Sequence, residues 1–459
     1  MNDHNFKIIE INKITDKLST TFCLAKWHHT TIYLQTGQTH SCYHPPPHEI
    51  PLEELKNNPS ALHNTMEKKL QRKEMLLGKR PSGCQYCWNI EDLGGDFVSD
   101  RKERNAGIYV PRQFFNIRKG GWDDNINPEY IEISFGNECN FKCGYCHPKF
   151  SSSYYKEIKD FGPYDMVKNH RNDIDWFEIY EEETNPYVKA WWEWWPEVSK
   201  TLNILRITGG EPLLQQSTWR LFEDIDRTPV PHIELNINSN MGVKPVLVDR
   251  FTNTVKKLID EKKIRTFSLF TSIDTWGKPA EYIRTGLDLK TWEHNLTTYL
   301  TNTDLPVTLM ITFNVLTVTN FKPLLVKILQ WRKQFKSDVY IENDISGFPR
   351  IRFDTPHLKE PLQYDMNILP KEEFMPYMYE SLKFIEDNVG EDKFTQEEYK
   401  KFHRIVKYME ITHYSEERLT EGRKDFYNWF TEYDRRRGTN FIKTFPKMKE
   451  FYNDCKEIK

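Results

Sequence analysis

The tightest constraint on this chain is a loop of three cysteines. Residues 131–147 read IEISFGNECNFKCGYCH, a short apolar strand that empties into Cys139, Cys143 and Cys146 with Cys-x3-Cys-x2-Cys spacing. Iron–sulfur cubes are normally held by four thiolates, so three this close together fit a [4Fe–4S] cluster with one iron left without a protein ligand. The spacing also fits a zinc ion that borrows an imidazole, and His147 is the next residue. A second stretch bears on the choice. Arg206-Ile-Thr-Gly-Gly-Glu-Pro-Leu-Leu214 ends a predicted strand in a turn made of Gly209, Gly210, Glu211 and Pro212. Paired glycines let the backbone come close to a ligand, and a carboxylate accepts hydrogen bonds from an ammonium group. Zinc has no need of such a turn.

Together the two motifs resemble the radical S-adenosylmethionine enzymes, with Tyr145 in the aromatic place of their Cys-x3-Cys-x-aromatic-Cys signature. The resemblance implies a catalytic [4Fe–4S] cluster on Cys139, Cys143 and Cys146, whose open iron is chelated by S-adenosyl-L-methionine. It implies reductive cleavage of that cofactor to a 5′-deoxyadenosyl radical, which abstracts hydrogen from a substrate. Gly209, Gly210, Glu211 and Pro212 would hold the cofactor's amino group. Ser239 in Ile237-Asn-Ser-Asn240, Ser272 in Ser272-Ile-Asp-Thr275 (with Arg284 beyond), and Asn314 in Thr312-Phe-Asn314 are similar to strand ends that contact the cofactor's ribose and carboxylate. Polar residues at strand ends also serve as ordinary helix caps.

An upstream cysteine group forms a second candidate centre. Cys23 and Cys42 flank the alternating segment 29–35, which precedes a turn at Gly37, and Cys84-Gln-Tyr-Cys87 follows a predicted helix over 52–77. Four thiolates accept either zinc or an iron–sulfur cluster, and His28, His29, His40 and His44 are further candidate ligands. The run through Ser99-Asp-Arg101 and Asn105 resembles a twitch domain, the short relative of the SPASM domain. That resemblance implies one auxiliary [4Fe–4S] cluster ligated by Cys23, Cys42, Cys84 and Cys87. Such domains usually follow the barrel, whereas here the region precedes it. Cys455 is read as a lone thiol in the tail.

Strand candidates at 131–135, 203–208, 233–239, 266–273, 307–315 and 339–342 alternate with helical segments, the spacing of βα units. The expected fold class is α/β: a partial (β/α)6 TIM-like radical SAM barrel with a Cys-rich N-terminal region and a C-terminal helical extension. The expected divisions are a loosely packed leader or edge over 1–20, the auxiliary-cluster region over 21–121, the barrel over 122–365 and the extension over 366–459. Trp191, Trp192, Trp194 and Trp195 read as a helix face packed on the sheet. Arg435-Arg436-Arg437-Gly438 reads as a basic last helical turn with a glycine stop.

The net charge of −3 gives no reason to expect nucleic acid as a partner, and no apolar run reaches the ~20 residues of a membrane span. The first residues lack the charged start and apolar core of a signal peptide. Clustered cysteines then point to metal in a reducing, cytoplasmic setting. The family resemblance implies a low-potential electron donor of flavodoxin or ferredoxin type, and a peptide or protein as the first-choice substrate. The other readings are oxidation or rearrangement of a small molecule, and a non-catalytic iron–sulfur protein. Asp274, Asp354 and His357 are candidates for lining the substrate.

Overall fold

The computed structural model describes residues 3–94, 98–106, 117, 120–167, 174–175, 177–336 and 349–458. Among these, nine strands form one open, mostly parallel sheet in the order β3-β2-β1-β4-β5-β6-β7-β8-β9. They are β1 (His29–Tyr33), β2 (Gln38–His40), β3 (His48–Glu49), β4 (Tyr130–Ser134), β5 (Ile204–Thr208), β6 (Val230–Ser239), β7 (Ile264–Ser272), β8 (Val307–Met310) and β9 (Ile351–Asp354). β1 pairs antiparallel with β2 and parallel with β4, and every later pairing is parallel. From β4 to β9 the strands lie in chain order without a reversal. Right-handed crossovers then carry the connecting helices over one face of the sheet.

The side chains agree with that one-sided cover. β4, β5, β7, β8 and β9 alternate fully buried residues with half-exposed ones. Ile131, Ile133, Leu205, Ile207, Leu235, Ile237, Phe267, Leu269, Val307, Leu309, Ile351 and Phe353 form the buried face and belong to one continuous core. Parallel strands covered on both sides read as unbroken apolar runs, so this alternation marks a sheet with one polar face.

Several expectations shift in detail. The strand paired with β8 is Ile351–Asp354, and the candidate at 339–342 lies outside the described residues. The eighth strand stops at Met310, short of 315. The first residues form a helix, Asp3–Thr15, and are not loose: Asn12 donates to Lys102 O (2.9 Å) and accepts from Asn105 Nδ2 (3.3 Å), tying this helix to Asp100–Asn105. The helix expected over 52–77 is broken into Leu52–Leu55, a 3-10 turn at Pro59–Leu62, and Met66–Leu76, which Thr65 caps by accepting the Lys68 N–H. The Cys-rich region has a small core of its own around Phe22, Trp27, Met75 and Trp88, yet its strands β1–β3 continue the main sheet.

Of the four tryptophans expected to pack on the sheet, Trp191, Trp194 and Trp195 are buried on helix Pro186–Val198 and Trp192 is half-buried. Beyond residue 370 the chain is mainly helical, and helix Glu416–Arg437 ends at Gly438 in the left-handed region (φ 64°). The last turn does more than end the helix. Arg437, fully buried, pairs with buried Glu157 at 2.9 Å and donates to Lys142 O at 2.6 Å inside the cysteine loop. Removing one partner of a buried pair leaves an uncompensated charge, which costs about 3–5 kcal/mol. Glu157→Ala is therefore expected to lower the urea unfolding free energy by that amount; a loss under about 1 kcal/mol, the worth of a surface pair, would contradict this role for Glu157.

Candidate metal centres and the glycine turn

Both sequence motifs leave the sheet side by side, because β4 and β5 are parallel neighbours in register from Tyr130↔Ile204 to Ser134↔Thr208. The loop after β4 carries the three cysteines, and the turn after β5 is Gly209-Gly210-Glu211-Pro212. Two backbone bonds lock them together: Gly210 N–H to Gly136 O at 3.2 Å and Glu211 N–H to Glu138 O at 2.7 Å. The glycines are needed for this approach. A Cβ on Gly210 would fall 2.3 Å from Glu138 O, and Gly209 has φ 118° with Ser134 Oγ at 2.4 Å from its would-be Cβ. In this structure, what the glycines bring close is the cysteine loop itself.

Glu211 is completely buried. Its Oε1 accepts from Leu213 N–H (3.1 Å) and Ser239 Oγ–H (2.8 Å), and its Oε2 from Asn240 N–H (2.6 Å). Burial pushes its carboxyl up to about 7, against the opposing pull of these donors. Pro212 begins the 3-10 turn that Glu211 caps. Ser239 thus joins Glu211. Ser272 ends β7 half-buried. Asn314 is buried and bonds within its own turn, donating to Thr312 O (2.7 Å) and accepting from Leu316 N–H (3.0 Å).

The cysteine loop is held from several sides. Ser152 Oγ accepts from Cys139 N–H, Ser151 Oγ donates to Phe141 O at 2.6 Å, and Lys142 N–H reaches Thr285 O at 2.8 Å. Gly144 fits beneath Tyr364, whose hydroxyl would lie 2.0 Å from an added Cβ. Tyr145 donates to Asp274 (2.7 Å), and Asp274, fully buried, also receives Arg284 Nη2 (2.9 Å) and the Thr312 N–H (2.9 Å). Donors point at the sulfurs: Phe141 N–H and Asn240 Nδ2 lie 3.5 and 3.9 Å from Cys139 Sγ, and Arg284 Nη1 lies 3.9 Å from Cys143 Sγ. Burial raises the Cys139 and Cys143 thiols, while these donors favour the thiolate that a metal would require. His147 turns its Nδ1 to the Lys149 N–H (3.1 Å).

The upstream cysteines also converge. Cys23, Cys42, Cys84 and Cys87 line one cavity, together with Lys26, His44, Asp100, Arg101 and Arg104. Burial pushes the Cys23 and Cys87 thiols up to about 12. His44 bonds Asp100 (2.6 Å), His29 receives Arg104 (3.2 Å), and His40 is engaged by Cys42 O and the Tyr33 hydroxyl. His28 is buried and outside the cavity lining. Sequence reading missed the charge around this site. Lys26, Lys68 and Arg72 are all buried, and their hydrogen bonds go to Gln71, to the Thr30 and Thr39 hydroxyls, to His63, to Asn64 and to backbone carbonyls. None of these partners is a carboxylate. Burial, with Arg72 and Lys26 close by, holds Lys68 well below its usual value, which favours its neutral amine, and of the three only Lys26 lines the cysteine cavity. No pattern in the sequence separates these lysines from solvated ones.

Among the described residues, no three His, Cys, Asp or Glu side chains stand together as ligands of a single metal ion. Asp354 pairs with Lys401 (3.2 Å), and His357 packs on Tyr408, with burial lowering its imidazole to about 4. Cys455 is buried on the C-terminal helix Lys449–Lys456. No helix among the described residues is long and apolar enough to cross a membrane. No protein-family model matches the chain, and no curated protein matches it.

An acid held above its usual value favours the folded protein in its neutral form. Its contribution to stability is present below about pH 4.5 and is lost as pH rises through about 7. Glu211→Gln is expected to flatten the fall in stability between these limits by up to about 3 kcal/mol, at 1.36 kcal/mol per unit. Parallel pH–stability curves for the two proteins, measured by chemical denaturation, would contradict the burial-driven shift.

Proposed function

We propose that this chain is a radical S-adenosylmethionine enzyme with one auxiliary cluster. The observation that carries the reading is the docking of the three-cysteine loop onto the glycine turn, at the exits of adjacent parallel strands. Ligand sites of parallel α/β sheets collect at the C-terminal ends of strands. The chain-order strands and the single polar face favour a sheet curled as a partial barrel, with that face inward.

When bound, a [4Fe–4S] cluster and S-adenosyl-L-methionine supply one-electron cleavage of a sulfonium and, from it, hydrogen-atom abstraction. The chain's own residues then have separable tasks. Cys139, Cys143 and Cys146 would hold the cluster, and the fit rests on the N–H donors aimed at the first two sulfurs. Glu211, once ionised, would accept the cofactor's ammonium group, with Ser239 and Asn240 fixing its oxygens. Tyr145, Asp274 and Arg284 brace the loop from below. Closing the site with packed side chains excludes water from a reactive radical.

Cys23, Cys42, Cys84 and Cys87 would hold a second [4Fe–4S] cluster, supported by their shared cavity and the buried cations near it. A peptide or protein is the substrate this reading favours, and a flavodoxin- or ferredoxin-type donor would supply electrons. Two cubes require about eight irons per chain after anaerobic reconstitution. Changing Cys139, Cys143 and Cys146 together to Ala is expected to leave about four. Four irons with one equivalent of zinc in the unaltered protein would remove the auxiliary cluster from the reading.

A further inference from the structure

One cavity uses no residue of the cysteine or glycine motifs. It lies where the C-terminal helices pack on the helix that follows β8, and its volume is about 320 Å³. Three elements line it: the first turn of helix Phe321–Gln334, one face of helix Lys371–Asp387, and Lys447 on the 3-10 turn Pro446–Met448.

Helix Phe321–Gln334 begins without a side-chain cap. Asn320 stands at the capping position, a residue type well suited to it. Its amide instead donates to Thr319 Oγ1 at 2.8 Å. The Asn320 N–H goes to Thr317 O at 3.0 Å, and Pro323 has no N–H to offer. The open donors of this turn are therefore the Phe321 and Lys322 N–H groups, which meet no acceptor among the described residues. Such a terminus carries a partial positive charge and suits an anion.

A second feature, on another helix, faces the same space. Ser381 is 2% exposed and lines the cavity, and its hydroxyl makes no hydrogen bond with any described residue. A serine inside a helix often bonds the carbonyl four residues back, and a buried hydroxyl without a partner is costly. The charges agree with an anion. Lys447 Nζ lies 4.6 Å from the centre of the Tyr377 ring, and its bond to Thr319 O is long, at 3.5 Å. Glu380 is the one carboxylate among the lining residues, and Lys322 already holds it at 2.7 Å. Lys447 and the helix terminus are left facing the cavity with no acid of their own.

We infer that this cavity binds a phosphoryl anion carried on a small organic molecule. Backbone N–H groups, a hydroxyl and an ammonium group reach it from three elements, which suits the several oxygens of one tetrahedral group. Lysine serves phosphate as a point charge. The volume falls at the small end of ligand pockets, more than an inorganic ion fills, and Val318, Phe321, Val326 and the Tyr377 ring give the remainder an apolar wall. The site is independent of the radical reading.

The test is calorimetric titration of the full-length protein with phenyl phosphate, inorganic phosphate and phenol at constant ionic strength. The assignment expects saturable binding of phenyl phosphate, at least about tenfold tighter than inorganic phosphate, and no saturable heat from phenol. Ser381→Ala and Lys447→Gln are each expected to weaken phenyl phosphate about tenfold, the worth of a hydrogen bond to a charged group. Lys447 is exposed, so Lys447→Gln tests the site even where Ser381→Ala fails to fold. No saturable binding of phenyl phosphate would overturn the assignment, as would binding that the folded variants leave unchanged. Equal affinity for phenol and phenyl phosphate would overturn the phosphoryl group, and equal affinity for inorganic and phenyl phosphate would overturn the organic part. Iron content is measured separately, so failure here leaves the reading of the cysteine loop to its own test.

Discussion

The hydrogen bond from Glu211 N–H to Glu138 O, 2.7 Å long, joins the exits of two parallel strands, and the site is arranged around it. It can form only because Gly210 has no side chain to keep the backbones apart. Once it forms, the turn after β5 lies against the residue preceding Cys139. The Glu211 carboxylate then turns back to Ser239 and Asn240 on the exit of β6. Three consecutive strands are thus tied at one end of the sheet by a single buried acid and two glycines.

Outside that tie, the cysteine loop is surrounded by charge that is mostly balanced within the protein. Asp274 takes hydrogen bonds from Tyr145, Arg284 and a backbone N–H, and Glu157 takes Arg437 and Lys142. Both groups connect the loop to distant parts of the chain, Glu157 through the last turn of helix Glu416–Arg437. The upstream site differs. Lys26, Lys68 and Arg72 are buried with neutral partners. Burial, with Arg72 and Lys26 close by, holds Lys68 well below its usual value, which favours its neutral amine and lets it do without a carboxylate partner.

Much of this was legible in the sequence because the relevant signals are local. The strand before Cys139, the strand before Gly209 and the glycine stop at Gly438 each follow from a few adjacent residues, and each appears where expected. The convergence of Cys23, Cys42, Cys84 and Cys87 on one cavity also follows their grouping. Long-range contacts were not legible. Arg437 reads as a helix terminus, and nothing local says that it reaches Lys142 O inside the cysteine loop. The strand at 351–354 was not recognised because it is four residues of ordinary polarity, identifiable only by its pairing with β8. Asn314 reads as a cofactor contact, and the bonds from its amide to Thr312 and Leu316 in its own turn were not legible. Arg206 was read only as the start of a motif; its contacts with Asn238, Phe270 and Glu132 come from other strands.

The central claim is that Cys139, Cys143 and Cys146 hold a cluster with an open iron next to a cofactor turn. It is tested most directly by incubating the anaerobically reconstituted, dithionite-reduced protein with S-adenosyl-L-methionine alone and measuring 5′-deoxyadenosine. Slow release of 5′-deoxyadenosine without any substrate, abolished when the three cysteines are changed to Ala, is the result the account predicts. A protein that carries its full complement of iron, is fully reduced, and releases none would contradict it.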